Sequence, residues 1–208
     1  MNQENIKIIR NYLSEVGDTL KGLSAEAIAQ FVGVLEETRM EGKRVYVFGN
    51  GGSAATASHF ASDLSKGAIS KGKPRIKAFA LTDNVPLITA WANDTAYENI
   101  FAEQLENYIE PRDIAIGISG SGNSQNVLNG VKVAKSKGAT TIGLIGFDGG
   151  KLKDLVDIAI VVPNHNMEQV EDVHLLLEHV ITTCLREFKV QGSKLESQPR
   201  TLDIERRT

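Results

Sequence analysis

The sequence predicts an α/β three-layer sandwich: a five-stranded parallel sheet flanked by helices, with an N-terminal helical arm. Three observations lead there. First, the short runs "RVYVF" (44–48), "IKAFAL" (76–81), "DIAIGI" (113–118), "TTIGLIG" (140–146) and "DIAIVV" (157–162) are rich in Val and Ile. Second, helical or glycine-rich stretches separate them, the alternation of βαβ units with right-handed crossovers. Third, residues 4–40 carry helical periodicity and no strand pattern. With 208 residues, 41% of them hydrophobic, the chain can build one sizeable core plus such an arm.

Taken in order, Ile6, Ile9, Leu13, Val16 and Leu20 form one apolar stripe, and Ile28, Phe31, Val32 and Leu35 a second. "GLSAEAIAQ" interrupts them, with Ser24 as an N-cap and Ala27 where a capping box would place Glu. The sheet alone does not cover the first stripe, which favours oligomerisation. Amphipathic helices are expected at 54–66, 97–108, 124–137 and 167–188. Residues 1–188 thus read as one domain, its first two helices within 1–40. The tail 189–208, "VQGSKLESQPRTLDIERRT" after its lysine, is polar, lacks a core pattern and is expected to be loose.

Composition excludes several classes. The formal net charge is -3 and the Lys and Arg residues are scattered, so nothing favours nucleic acid. No apolar run approaches the roughly 20 residues of a membrane-spanning helix. "MNQENIKIIRNYL" has no apolar segment followed by a cleavage site. The single cysteine, Cys184, allows no internal disulfide and fits a reducing compartment. A soluble cytoplasmic protein is expected.

Two Gly/Ser loops occupy equivalent places, each between a strand and a helix. One is Gly49-Asn50-Gly51-Gly52-Ser53, the other Ser119-Gly120-Ser121-Gly122-Asn123-Ser124. Ligands of open parallel sheets bind beyond the carboxyl ends of the strands. There, glycines let backbone N–H groups approach an anion, and the following helix presents its N-terminus. Serines 119, 121 and 124 add donors without charge, as a phosphate requires. Gly49, Gly51 and Ala54 also satisfy the dinucleotide pattern G-x-G-x-x-A, with Asp83 as the ribose-binding acid. That alternative leaves the second loop without a purpose.

His59 and Asp63 are spaced i, i+4 on the helix that starts at the first loop, so they share a face. In "EDVHLLLEHV", Glu171 and His179 are eight apart and roughly share another. Two histidines and two carboxylates make a plausible four-ligand Zn²⁺ set. Spacing alone does not bring the two helices together, and H-x-x-x-D is common on solvated helices. His174 points elsewhere and reads as a helix-surface or interface residue. Trp91 reads as core or interface packing, His165 as solvated, and Cys184 as a buried small residue.

In "GNGGS" (49–53), "HFASDL" (59–64), "AND" (92–94), "SGSGNS" (119–124), "GFDGG" (146–150) and "EDVHLLLEH" (171–179), the chain resembles the sugar isomerase (SIS) domain family, and within it the phosphoheptose isomerases. The likeness covers about residues 1–188. It implies an aldose–ketose isomerase that interconverts sedoheptulose 7-phosphate and D-glycero-D-manno-heptose 7-phosphate through an enediol. It further implies a homotetramer with one Zn²⁺ per subunit at sites between subunits. By resemblance Asn50, Gly51, Gly52, Asn93 and Asp94 contact substrate, and Ser53, Ser119, Gly120, Ser121 and Ser124 hold the phosphate and nearby hydroxyls. His59, Asp63, Glu171 and His179 fall on the four metal-ligand positions, and Asp63 and His179 take the acid/base roles. Glu168 and Glu171 also fall on substrate-binding positions. The family usually has Glu at Asp63, Gln at Glu171, Asp at Glu168 and Ser-Thr-Ser at Ser119-Gly120-Ser121. Two alternatives follow from these departures and from the wider family: an isomerase of another phosphosugar, and a non-catalytic scaffold that binds a replication initiator.

Overall fold

A computed structural model describes residues 2–187; the expectation of a loose tail at 189–208 lies outside them. Strands β1 (Arg44–Gly49), β2 (Lys77–Ala80), β3 (Ile114–Ser119), β4 (Thr140–Ile145) and β5 (Ile158–Val161) form one parallel sheet of order β2-β1-β3-β4-β5. All five expected strands are present, each within a residue or two of its apolar run. The helices are α1 (Gln3–Lys21), α2 (Ala25–Met40), α3 (Gly52–Ser62), α4 (Val85–Asp94), α5 (Ala102–Tyr108), α6 (Gln125–Ser136), α7 (Gly150–Leu155) and α8 (Met167–Glu187).

Strand residues alternate between two cores, as the two-residue strand period dictates. Val45, Val47, Ile116 and Ile142 face α2, α3 and α8, with α1 packed outside them. Tyr46, Phe48, Ala115 and Ile145 face α5, α6 and α7, with Ile88 and Trp91 of α4 packed against that side. Three layers result. The Ser24 Oγ accepts from the Ala27 N–H at 3.1 Å, and Glu26 rather than the missing box residue accepts from the Ser24 hydroxyl. α1 docks on α8 where Tyr12 donates to Asp172 at 2.6 Å and Gln169 donates to Glu15 at 2.8 Å.

Two expectations about α8 are corrected. His174 is fully buried, because it lies one turn from Val170 and Leu177 on the face against the sheet. Cys184 is exposed, on the outer side with Leu175, Leu176 and Val180. The His174 nitrogens find no hydrogen-bond partner among the described residues. Burial drives its pKa down from 6.5 to about 4. The unfolded chain takes up this proton as pH falls through about 6.5, whereas the native chain resists until about 4. Stability is therefore full above pH 6.5 and falls between these values, by about 3 kcal/mol from this residue when both states are protonated. Urea unfolding from pH 7.5 to 4.5 should show this decline, and His174→Leu should flatten it. An equal slope in the variant would refute the assignment.

Candidate active site

The sheet order switches between β1 and β3, β2 being added on one side and β4 and β5 on the other, and open α/β sheets bind ligands at such a point. Both Gly/Ser loops leave those two strands. The first runs through Asn50 and Gly51 into α3, and the second through residues 120–124 into α6. A residue not singled out in the sequence joins them. Asn50 Nδ2 donates to Asn126 Oδ1 at 2.8 Å, and Asn126 Nδ2 donates back to Asn50 Oδ1 at 2.8 Å. The Tyr97 hydroxyl adds a third bond, donating to Asn50 Oδ1 at 2.9 Å. The Asn50 side chain is thus committed to holding the loops together. Its pairing spans 76 residues, so no local pattern signals it.

In the second loop the Ser119 and Ser124 hydroxyls lie 3.2 Å apart, and Ser119 Oγ accepts from the Gly122 N–H at 3.1 Å. Ser121 Oγ instead accepts from the Asn123 N–H at 3.3 Å. Ser124 is the N-cap of α6, yet its hydroxyl makes no capping bond and pairs with Ser119 Oγ instead. The 146–150 turn braces the loop. Gly146 N–H donates to Gly120 O at 3.0 Å, and Leu152 N–H to Gly122 O at 3.0 Å. Asn93 and Asp94 end α4, exposed and bonded to each other at 2.8 Å. Ser53 is buried in the first turn of α3, and Glu168 is exposed in the first turn of α8.

Beyond Ser62, α3 passes into a π-helical turn over Asp63–Gly67, closed by the Ala68 N–H donating to the Asp63 carbonyl at 2.8 Å. Such widened turns re-aim side chains and recur at functional sites. Here Asp63 Oδ2 lies 3.9 Å from His59 Nε2 and 3.8 Å from His179 Nε2 of α8. The imidazole centroids are 5.0 Å apart. The two helices do meet, and their side chains converge.

The fourth member of the cluster is Glu178. One donor atom from each of His59, Asp63, Glu178 and His179 lies within 4.8 Å of the others. Glu178 is fully buried, its Oε1 is 2.9 Å from His59 Nδ1, and neither oxygen finds a hydrogen-bond partner among the described residues. Burial, and then the charge of Asp63, push its pKa up to about 8. Buried charges are normally paired or bound to metal, and two imidazoles with two carboxylates match the donors and charge of a divalent cation such as Zn²⁺. Glu171, which the resemblance put among the ligands, is not in this cluster. Its carboxylate lies over Gly52, where a Cβ would come within 2.5 Å of the carboxylate carbon.

Comparison with known proteins agrees with this architecture. The SIS domain family model matches residues 10–146. The phosphoheptose isomerase of Aquifex aeolicus (strain VF5) is 37% identical over 190 residues, covering 91% of this chain and 99% of that protein. The structure is similar to that of phosphoheptose isomerase from Neisseria gonorrhoeae, with a TM-score of 0.81 and 29% identity over 88% of this chain and 97% of the other. The Francisella tularensis phosphoheptose isomerase gives a TM-score of 0.79 and 30% identity, covering 89% and 98%. Sheet order, loop placement, sequence identity and structural likeness converge: the chain belongs to the phosphoheptose isomerases of the SIS domain family.

Proposed function

We propose that this protein is an aldose–ketose isomerase that interconverts sedoheptulose 7-phosphate and D-glycero-D-manno-heptose 7-phosphate through an enediol. The observation that carries the proposal is the convergence of two imidazoles and two carboxylates from α3, its π turn and α8, in a family member whose Gly/Ser loops open at the β1/β3 switch point. The phosphate binds at Ser119, Gly120, Ser121 and Ser124, where the α6 N-terminus favours an anion. Asn50, Gly51, Gly52 and Ser53 face the sugar through the first loop, with Asn93, Asp94 and Glu168 at its rim. Anchoring the phosphate holds the reacting end in register and so raises the rate of proton transfer.

Isomerisation moves a proton between C1 and C2, which needs a base beside the chain and an acid near the carbonyl oxygen. Asp63 carboxylate and His179 Nε2 take these roles. The donor set fits Zn²⁺, one per subunit, which when bound supplies Lewis-acid polarisation of the sugar oxygens. Exposed Ile8, Ile9 and Leu13 on α1, with Leu175, Leu176 and Val180 flanking His179 on α8, favour a homotetramer whose subunits meet beside the site. Among the described residues no helix is long and apolar enough to cross a membrane, in keeping with a cytoplasmic enzyme.

The test is metal content after chelator-free purification, with sedoheptulose 7-phosphate isomerisation assayed before and after metal removal. Stoichiometric zinc and turnover lost to chelator are expected. Zinc without turnover would assign the site to another phosphosugar; neither zinc nor turnover would favour the scaffold reading.

A further inference from the structure

We infer that the two acidic residues of α8 have separate tasks. Glu178 supplies the fourth donor to the divalent cation, while Glu171 stays off the ion at the first loop, facing the sugar. The inference rests on the metal-dependent reading only in that a cation binds.

Three observations carry it. The first is the state of Glu178: wholly buried, with neither oxygen hydrogen-bonded among the described residues, and aimed at the His59–His179 pair. A carboxylate left this way is destabilising unless something charged joins it. The second is spacing. Glu178 Oε1 lies 2.9 Å from His59 Nδ1, yet the pair makes no hydrogen bond. Donors arranged tetrahedrally around one ion at about 2.0–2.1 Å sit about 3.3 Å apart, so this pair needs to open by only a few tenths of an ångström to share an ion. His179 Nε2 completes the triangle at 3.9 Å from the same oxygen. The third is the place of Glu171. Eight residues of helix separate its Cα from that of His179 by about 12 Å. Its carboxylate occupies the space a side chain on Gly52 would fill. Gly52 opens α3, so the Glu171 carboxylate lies beside backbone N–H groups and the sugar-facing loop, not the imidazoles.

Charge agrees with this division. Asp63 and Glu178 together neutralise a divalent ion. Glu171 is then not needed to balance the ion and stays at the first loop.

The experiment uses Zn²⁺ and Co²⁺ as probes on the full-length protein. Zn²⁺ affinity is measured by competition with a chromophoric chelator for wild type, Glu178→Gln, Glu178→Leu and Glu171→Gln. The Co²⁺ absorption spectrum and the metal-free melting temperature are recorded alongside. Glu178→Leu should weaken Zn²⁺ binding by at least about 100-fold and Glu178→Gln by about 10-fold or more, the scale at which even indirect partners of metal ligands act. Both Glu178 variants should alter the Co²⁺ spectrum. Glu178→Gln should melt no lower than wild type without metal, and gain less from added Zn²⁺. Glu171→Gln should keep the affinity within about threefold and the Co²⁺ spectrum unchanged. If Glu178→Leu fails to fold, the isosteric Gln variant alone decides. Loss of Zn²⁺ in Glu171→Gln, wild-type affinity in Glu178→Gln, or a wild type that binds no Zn²⁺ would each overturn the inference. None of these readouts uses turnover, so failure to isomerise sedoheptulose 7-phosphate would count against the proposed reaction and not against the metal assignment.

Discussion

Alanine at position 179 should reduce isomerase turnover by about 10³-fold or more, the range lost with a general acid or base, since the proposed function gives this ring both a proton-transfer role and a place in the donor set. The fold should survive. His179 is half-exposed on the outer side of α8, its imidazole packs against the His59 ring and no apolar core residue depends on it, and alanine favours helix. What disappears is chemical: the Nε2 atom 3.8 Å from Asp63 Oδ2 and 3.9 Å from Glu178 Oε1. The check is kcat and KM for sedoheptulose 7-phosphate, with circular dichroism and melting to establish folding. A folded variant within tenfold of wild-type kcat would remove His179 from the chemistry.

Gly122→Ala should damage stability and substrate binding together. Gly122 has φ +66°, where a Cβ is strained whatever the space. Here the space is also filled. A Cβ would lie 2.6 Å from the Gly149 carbonyl carbon, nearer still to its oxygen, and 2.9 Å from Ile145 Cγ2. Backbone cannot yield as a flexible side chain does, so the 119–124 loop and the 146–150 turn must separate. That breaks the Leu152 N–H bond to Gly122 O and moves the N–H held by Ser119 Oγ. Strain and overpacking each cost about 1–3 kcal/mol, so a loss of about 3 kcal/mol is expected, a drop of about 6–12 °C in Tm for a chain of this size. KM should rise more than kcat falls, because the damage is at the phosphate end. Gly33→Ala is the control: it lies within α2 and its Cβ would meet nothing within 4 Å, so Tm should hold or rise slightly. Equal melting of Gly122→Ala and wild type would mean that the loop accommodates a side chain.

The central strands were legible because buried parallel strands appear as short continuous apolar runs, while the edge strand β2, half-exposed, was marked by alternation in "IKAFAL". The positions of the two loops were legible because glycine and serine between a strand and a helix mark a tight βα turn, and both leave adjacent strands. Helical spacing put His59 and Asp63 on one face, and they lie 3.9 Å apart, although the π turn that aims Asp63 leaves no mark in "DLSKG". Glu178 was missed for a geometric reason. A residue next to His179 points about 100° away on a helix and so looks unrelated to it. It becomes relevant only because α3 packs against the α8 edge lying between those two directions, which is tertiary information. The same gap explains His174 and Cys184: the periodicity of α8 fixed which residues share a face, not which face meets the sheet.

The reciprocal amides of Asn50 and Asn126, fastened by Tyr97, have a consequence for selectivity. They tie the loop after β1 to the first turn of α6, so the two loops that the proposed function assigns to the sugar and to its phosphate do not move independently. The gap between them is set before any ligand arrives, and binding need not spend free energy on arranging it. Under the proposed function such a cleft works as a caliper: a phosphosugar too short to span the two loops must forfeit its hold at one end or the other.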